Sequence, residues 1–134
     1  MKIIFAFFIS SFIFFIIDFI WLSITVSSFY RPNLGNLLTE KPVFWAAGLF
    51  YIIYMIGLTL LILKPSIDAN SLFLALWSGV VFGVVCYGTY NLTNMATVKD
   101  WSPIVVFVDI IWGGTLTGSV AFLTTYLIKT FFNT

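Results

Sequence analysis

Histidine is absent from this chain of 134 residues, and cysteine occurs only once, as Cys86 within an apolar run. Without histidine the protein lacks the commonest metal ligand and the usual base of Ser-His and Cys-His catalytic pairs. A single cysteine cannot form an intramolecular disulfide. We therefore expect no metal site and no cofactor, and any acid–base chemistry would be metal-free.

Charged residues are also scarce: they make up 8% of the chain, whereas 61% of the residues are hydrophobic. A water-soluble domain keeps about a quarter of its residues charged. The six Lys and Arg residues are scattered singly and the formal net charge is +1, so the chain has no basic stripe for nucleic acid. The composition predicts a single-domain integral membrane protein whose partners include membrane lipid and exclude nucleic acid.

Four apolar runs are long enough to cross a bilayer, because about 30 Å of hydrocarbon requires about 20 helical residues. Backbone groups inside lipid must be bonded internally, so all four runs are interpreted as helices. Short loops force successive helices to be antiparallel. The sequence thus predicts an all-α, polytopic membrane protein, an antiparallel bundle of four transmembrane helices with spans at about 3–29, 43–63, 71–91 and 103–128.

Polar residues and prolines set the predicted span boundaries. Residues 30–42 form the first loop, with Thr39 as a helix N-cap and Pro42 in the first helical turn. Lys64-Pro65 closes the second span, and the polar stretch 92–102 follows the third. The first run is too long for a signal peptide, and no small-residue cleavage site ends it.

Basic residues do not decide the orientation of the bundle. They divide equally between the two sides of the membrane, with Lys2, Lys64 and Lys129 on one side and Arg31, Lys41 and Lys99 on the other. The positive-inside rule is therefore tied. We favour both termini in the cytoplasm, because Lys2 precedes the first span. The tie also leaves open a chain that inserts both ways and forms an antiparallel homodimer.

A short pattern occurs twice in the chain: Asp18 precedes Trp21 in the first span, and Asp109 precedes Trp112 in the fourth. At a spacing of three residues, the Asp and the Trp share a helix face. Counted from the predicted span ends on the same side, Asp18 lies roughly 16 Å deep and Asp109 roughly 9 Å deep. The two carboxyl groups are therefore expected in the same half of the bundle or near its middle.

A carboxylate near the membrane centre costs on the order of 3 kcal/mol, unless it is protonated, hydrogen-bonded, paired with a cation or in a wet cavity. In a purely structural interpretation, each Asp accepts a hydrogen bond from the indole N–H of the other helix. Such contacts between membrane helices average about 0.6 kcal/mol and compensate poorly for a buried charge. This imbalance favours a functional site in which the carboxyl groups handle a proton or a cationic group.

The third span carries a polar stripe at spacings i, i+3, i+4 and i+7, which is continuous if the helix persists to its last member. The stripe approaches the end of the bundle where the two Asp lie, and Tyr51 and Tyr54 can add hydroxyl groups there. The predicted ligand- or proton-binding residues are Asp18, Asp109, Trp21, Trp112 and, from the stripe, Tyr87, Tyr90, Asn91 and Asn94.

Two further features are interpreted as structural. Gly79-x-x-x-Gly83 and Gly114-x-x-x-Gly118 provide small grooves, which predict packing of the third span against the fourth, or a dimer contact. Trp45 and Trp101 lie near span ends and are assigned to the interfacial aromatic belt.

The central motif resembles that of a known family. The stretch Tyr87–Trp101 reads Y-x-x-Y-N-L-T-N-x-A-T-x-x-x-W; Asp18-x-x-Trp21 precedes it and Asp109-x-x-Trp112-Gly113 follows it. This pattern resembles the small bacterial membrane proteins of domain-of-unknown-function family 2177, over essentially the whole chain. The resemblance implies four spans in a bacterial inner (cytoplasmic) membrane, and it implies no activity.

Several functions fit these patterns. We favour binding or transport of a small solute or lipid in a polar pocket built on the two Asp. One alternative is a dual-topology dimeric exporter that resembles small multidrug transporters in length, span count and a first-span carboxylate, although those lack the fourth-span Asp and the Asn-rich motif. The others are a metal-free lipid-modifying enzyme, with Asp as base and Tyr as acid, and a structural membrane scaffold. The residues lean against an enzyme and identify no catalytic group.

Overall fold

The structure, a computed structural model, describes residues 1–132, which form four long helices. Their bounds are Lys2–Leu37 for α1, Phe44–Asp68 for α2, Leu72–Thr97 for α3 and Pro103–Phe132 for α4. Each is long and apolar enough to cross a membrane. The connections 38–43, 69–71 and 98–102 are so short that successive helices run antiparallel. The predicted fold class, an all-α bundle of four transmembrane helices, is confirmed.

The two ends of the bundle differ. The start of α1, the end of α4 and the connection 69–71 share one end. The connections 38–43 and 98–102 share the other, which we call the two-loop end. Three of the six basic residues fall near each end, so the orientation in the membrane stays a prediction.

Helices α3 and α4 make the most extensive contact in the bundle. A Cβ atom added to Gly79 would lie 2.9 Å from the Cβ atom of Ala121, and one added to Gly83 would collide with the backbone carbonyl of Gly113. Larger side chains would force the two helices apart, so the glycines permit a close approach of the backbones. The glycine motifs were predicted to serve either the packing of the third span against the fourth or a dimer contact. The structure shows the packing of α3 against α4.

Helix α1 packs along α4, and α2 completes the bundle. The residues between the helices form one apolar core, whose largest fully buried members include Phe14, Leu58, Leu63 and Leu116. Many other large apolar side chains point outward, as lipid contact requires; those more than half exposed include Phe8, Phe12, Phe73 and Phe107.

Helix α1 continues past its predicted end. Residues 30–37, predicted to be loop, are helical, and the helix enters them through a wide π turn at Val26–Tyr30. There the backbone N–H of Arg31 donates to the carbonyl of Val26, five residues earlier instead of four. Pro32 follows, and in a regular helix its ring would clash with the carbonyl four residues before it. The wider turn relieves this clash, so the proline does not end the helix.

Helix α2 contains the same device. A second π turn covers Thr59–Leu63, where the N–H of Lys64 donates to the carbonyl of Thr59, and Pro65 follows. Because the helix continues to Asp68, the prediction that Lys64-Pro65 closes this span is wrong. In both helices a basic residue and a proline come directly after the π turn.

The start of α2 also differs from the prediction. The helix begins at Phe44, preceded by Val43 in an extended conformation. The Thr39 hydroxyl accepts from the backbone N–H of Lys41 at 3.3 Å and does not cap the helix. The predicted N-cap at Thr39 and the helical turn at Pro42 are therefore wrong.

Helix α3 extends well beyond its predicted end at residue 91, as far as Thr97. Part of the polar stretch 92–102 is thus helical. Its threonines fit a helix inside a membrane, because the Thr97 hydroxyl donates to the carbonyl of Thr93, one turn earlier, at 2.8 Å. The helix persists through Asn94, which is the condition that the predicted polar stripe required.

Candidate functional site

Asp18 lies in the middle of α1 and is buried, with 7% of its surface exposed. The hydroxyl of Tyr51, on α2, donates to Asp18 Oδ2 at 2.6 Å. Trp112 Nε1, on α4, donates to Asp18 Oδ1 at 3.3 Å. This carboxyl group therefore joins three helices, and both of its donors are neutral.

Asp109, on α4, is held in a similar way. The hydroxyl of Tyr30, on α1, donates to Asp109 Oδ1 at 2.6 Å, and Asn91 Nδ2, on α3, donates to Asp109 Oδ2 at 2.7 Å. The Tyr30 hydroxyl also accepts from Trp21 Nε1 at 3.1 Å. A second carboxyl group thus joins three helices, again through neutral donors.

The indole rings of Trp21 and Trp112 stack on each other, with centroids 4.2 Å apart and 8° between the planes. The two Asp-x-x-Trp patterns therefore meet face to face between α1 and α4. Trp112 reaches Asp18 directly, whereas Trp21 reaches Asp109 through the Tyr30 hydroxyl. In the structural interpretation of the sequence, each Asp accepts a hydrogen bond from the indole N–H of the other helix. This bond is direct for Asp18, whereas for Asp109 it passes through the Tyr30 hydroxyl.

The π turn in α1 positions Tyr30 for this relay. In a regular α-helix, residues nine apart such as Trp21 and Tyr30 lie on nearly opposite faces and about 13 Å apart along the axis. The wide turn at Val26–Tyr30 changes the helical rotation between Trp21 and the ring of Tyr30. Such π turns occur frequently at functional sites. The turn that accommodates Pro32 therefore also brings Tyr30 to Asp109.

Both carboxyl groups line one cavity of about 390 Å³. Residues from both connections of the two-loop end also line it, among them Thr39 and Pro42, so the cavity extends toward that end. Its volume is within the range of ligand pockets, about 300–1,000 Å³. The wall is rich in aromatic side chains: Trp21, Tyr30, Tyr87, Tyr90, Trp101 and Trp112.

Basic side chains are scarce around this cavity. Within residues 1–132 the one ion pair joins Lys64 to Asp68, both exposed and close to the opposite end of the bundle. Arg31 lines the cavity, but it is exposed and forms no ion pair with either carboxyl group. A bound molecule with a positive group would therefore meet two carboxyl groups that form no ion pair with a basic side chain of residues 1–132.

Two buried polar atoms of residues lining the cavity have no hydrogen-bond partner in the described part of the chain: Asn91 Oδ1 and Trp101 Nε1. Asn91 is fully buried, and its Nδ2 is shared between Asp109 and the backbone carbonyl of Tyr87. Buried polar atoms are normally paired. The unpaired oxygen and the unpaired indole N–H leave one acceptor and one donor for a bound molecule.

The structure brings together seven of the eight predicted site residues, which line the cavity: Asp18, Trp21, Tyr87, Tyr90, Asn91, Asp109 and Trp112. Asn94 does not line it and lies half-buried one turn further along α3. That these residues bind a ligand or a proton stays a prediction.

Two aromatic assignments come out differently. Tyr51 contributes its hydroxyl to Asp18, whereas the Tyr54 hydroxyl pairs with Thr117 of α4 at 2.7 Å. Trp101, predicted as a belt residue, is half-buried, lines the cavity and packs edge-on against Tyr90 with ring centroids 5.8 Å apart.

Sequence reasoning missed Tyr30 and Arg31 as site residues, because it assigned both to the first loop. Pro32 lies in the same predicted loop, residues 30–42. The apolar residues Leu34 and Leu37 beyond the proline were the available signal that the helix continues.

Fold and site together define a multi-pass integral membrane protein with a carboxyl-lined cavity between its helices. A family model described as "Predicted membrane protein (DUF2177)" matches residues 3–126. The chain belongs to this family, and the resemblance seen in its motifs is confirmed. No curated protein and no solved structure matches the chain.

Proposed function

We propose that this protein binds a small organic cation inside the membrane, as the recognition step of transport or capture, in the cavity between α1, α3 and α4. One observation carries the proposal: Asp18 and Asp109 line the same aromatic cavity, and every hydrogen bond that they accept within residues 1–132 comes from a neutral donor. The membrane in question is proposed to be a bacterial inner membrane, as the resemblance to the family implies.

The energetics favour a positively charged partner. Two ionised carboxylates near the bilayer centre cost on the order of 6 kcal/mol together on insertion scales. The four hydrogen bonds that they accept return on the order of 2–3 kcal/mol at the average value for membrane helices. A proton or a cationic ligand would supply the remainder. Proton and ligand would then compete for the same carboxyl groups, which is the exchange that a proton-coupled carrier needs.

The aromatic wall favours an organic cation over a metal ion. Cations are attracted to the faces of Trp and Tyr rings, and aromatic cages are the usual sites for quaternary ammonium groups. The stacked pair Trp21 and Trp112 and the phenol rings of Tyr87 and Tyr90 provide such faces beside the carboxyl groups. Hard metal ions instead prefer cages of six or more oxygen ligands.

Helix alignment is a second candidate role, and one observation favours it. The hydrogen bonds of Asp18 and Asp109 connect all four helices of the bundle. An asparagine could keep most of this network, because its amide both accepts and donates. Asp→Asn variants therefore separate the two roles: they remove the charge but preserve the connections.

The test is calorimetric titration of tetramethylammonium into the protein in maltoside micelles. We expect the wild type to bind and Asp109→Asn to lose about tenfold or more in affinity, because the charged contact is removed. The matched control is Asp68→Asn, which removes a carboxylate that is 61% exposed and far from the cavity. This control should bind like the wild type.

Equal affinity in the wild type and Asp109→Asn, or no binding by the wild type, would contradict the proposal and leave helix alignment as the better account. Native mass spectrometry of the same three proteins adds the mass of any copurified ligand. A ligand retained by the wild type and Asp68→Asn, but lost from Asp109→Asn, would support the proposal independently.

A further inference from the structure

A second cavity, of about 420 Å³, lies on the side of the bundle between α2 and α3, and we call it the lateral gap. Its walls are mainly apolar and aromatic, and its one charged residue is Asp109. The residues that line it are Phe50, Tyr54, Cys86, Tyr87, Tyr90 and Asp109.

The gap exists because α2 and α3 diverge. Their contacts concentrate in the second half of α2, at Thr59–Leu63 and Lys64–Asp68, next to the short connection that joins the two helices. The first half of α2 leans away, and its side chains from Phe44 to Phe50 are exposed. The gap therefore faces the side of the bundle, where lipid surrounds the protein, and not one of its ends.

The lateral gap and the cavity meet at the same residues. Tyr87, Tyr90 and Asp109 line both spaces, whereas Asp18 lines only the cavity. Asp109 can thus be approached from the two-loop end through the cavity and from the bilayer through the gap. The side chains of Tyr87 and Tyr90 are therefore shared by the two routes.

We infer that the ligand is an amphiphile of the bilayer, whose ammonium head group reaches Asp109 through the lateral gap and whose apolar chain stays between α2 and α3. The inference rests on the proposed cation site and specifies which cations use it. Charge and polarity fit this occupant at both ends: a carboxyl group with no cationic partner lies at the inner end, and apolar side chains such as Phe50 line the outer part.

A water-soluble cation would need only the cavity that extends to the two-loop end. For such a ligand the lateral gap would contribute nothing to binding. An amphiphile, in contrast, can leave its chain in lipid-facing apolar surroundings while its head group enters the carboxyl site. The length of the apolar chain is therefore the property that distinguishes the two kinds of ligand.

The test compares tetramethylammonium with dodecyltrimethylammonium by calorimetry in maltoside micelles. Wild type is compared with Cys86→Phe, which fills the gap, and with the control Val85→Phe, which adds the same side chain at a position that is 58% exposed and outside the gap. We expect the dodecyl chain to raise wild-type affinity about tenfold or more, because burying each methylene is favourable. Cys86→Phe should abolish this gain and leave tetramethylammonium binding unchanged, whereas Val85→Phe should keep both.

Partitioning of the amphiphile into micelles is the same for all three proteins, so it cannot produce a difference between them. With affinities expressed per free, non-micellar cation, a chain-length gain that survives Cys86→Phe, or no gain in the wild type, overturns the inference but leaves the cation site intact. No cation binding by the wild type, or equal tetramethylammonium affinity in the wild type and Asp109→Asn, overturns the proposed function instead.

A second measurement uses the wild type alone and does not depend on the folding of a variant. Cys86 is the only cysteine of the chain, so the rate of its reaction with N-ethylmaleimide reports one position. We expect dodecyltrimethylammonium to slow this reaction several-fold and tetramethylammonium to leave it unchanged. Equal labelling rates with the two cations would overturn the inference.

Discussion

Each oxygen atom of the two intramembrane carboxyl groups accepts one hydrogen bond. An ionised carboxylate offers about four lone-pair sites, so Asp18 and Asp109 each keep roughly half of their acceptor capacity. A ligand with N–H groups can therefore bind without displacing Tyr30, Tyr51, Asn91 or Trp112. At the scale of single residues the site is already ordered before a ligand arrives, which reduces the entropic cost of binding.

Tyr30 is the residue whose removal tests this ordering. Tyr30→Phe deletes a hydroxyl that joins Trp21 Nε1 to Asp109 Oδ1 and leaves both atoms short of a partner. We expect the free energy of unfolding to fall by about 1–2 kcal/mol, the scale of two lost hydrogen bonds between membrane helices. The measurement is unfolding in mixed detergent micelles, followed by circular dichroism.

Tyr126→Phe is the control for this variant, because Tyr126 is about half exposed on α4. Its change should stay within about 0.5 kcal/mol, as for ordinary surface substitutions. If the two variants unfold alike, the hydrogen bonds of Tyr30 do not stabilise the fold.

Residue types and spacings alone located the two carboxyl groups that line the cavity. An aspartate inside an apolar run is informative by itself, and its repetition with a Trp three residues later pointed to both helices that carry the carboxyl groups. The sequence could not predict that Trp21 acts through Tyr30, because the position of that ring depends on a change in helical rotation.

The helices show why a proline is an ambiguous signal in a membrane protein. Water can bond the backbone groups that a proline leaves free in a soluble protein, so a helix commonly ends there. In lipid these groups must be bonded by the helix itself. In α1 and α2 a π turn before the proline allows the helix to continue. For this reason the predicted loop was wrong where it contains Pro32, and so was the predicted close of the second span at Lys64-Pro65.

The two prolines supply a matched pair of variants. In Pro32→Ala the turn at Val26–Tyr30 can relax to a regular helix, which would rotate Tyr30 away from Asp109. We expect tetramethylammonium affinity to fall about threefold to tenfold, the scale of one lost hydrogen bond. Pro65→Ala changes the same kind of turn outside the cavity and should bind like the wild type. Equal affinities in the two variants would show that the turn in α1 does not position the site.

The positive charges of the whole molecule predict its orientation only weakly. With three basic residues near each end, Lys2 at the very start of α1 is the feature that favours a cytoplasmic N-terminus, and the even number of spans then places the C-terminus on the same side. We expect a C-terminal green fluorescent protein to fluoresce and a C-terminal alkaline phosphatase to be inactive. Activity of both fusions would contradict a single orientation and favour the antiparallel dimer.

Architecture was the most predictable property of the molecule, because four long apolar runs in 134 residues leave helices as the only spanning structure. The packing of α3 against α4 was one of two uses predicted for the glycine motifs, the other being a dimer contact, since glycines four residues apart, such as Gly79 and Gly83, produce a groove in any helix. The divergence of α2 from α3 was not predictable. It depends on how side chains such as Tyr54 and Phe82 fill the space between helices, with ring centroids 5.3 Å apart.

The hydrogen bond from Trp112 to Asp18 joins residues 94 positions apart, and it has a consequence for how the chain is made. During synthesis α1 enters the membrane long before α4, so Asp18 first resides there with neither Trp112 nor Asp109 nearby. Tyr51 on α2 becomes available to Asp18 first, and Trp112 only when α4 has been inserted. Completion of the cluster therefore requires all four helices, and a chain interrupted before α4 would leave Asp18 with one of its two hydrogen-bond donors.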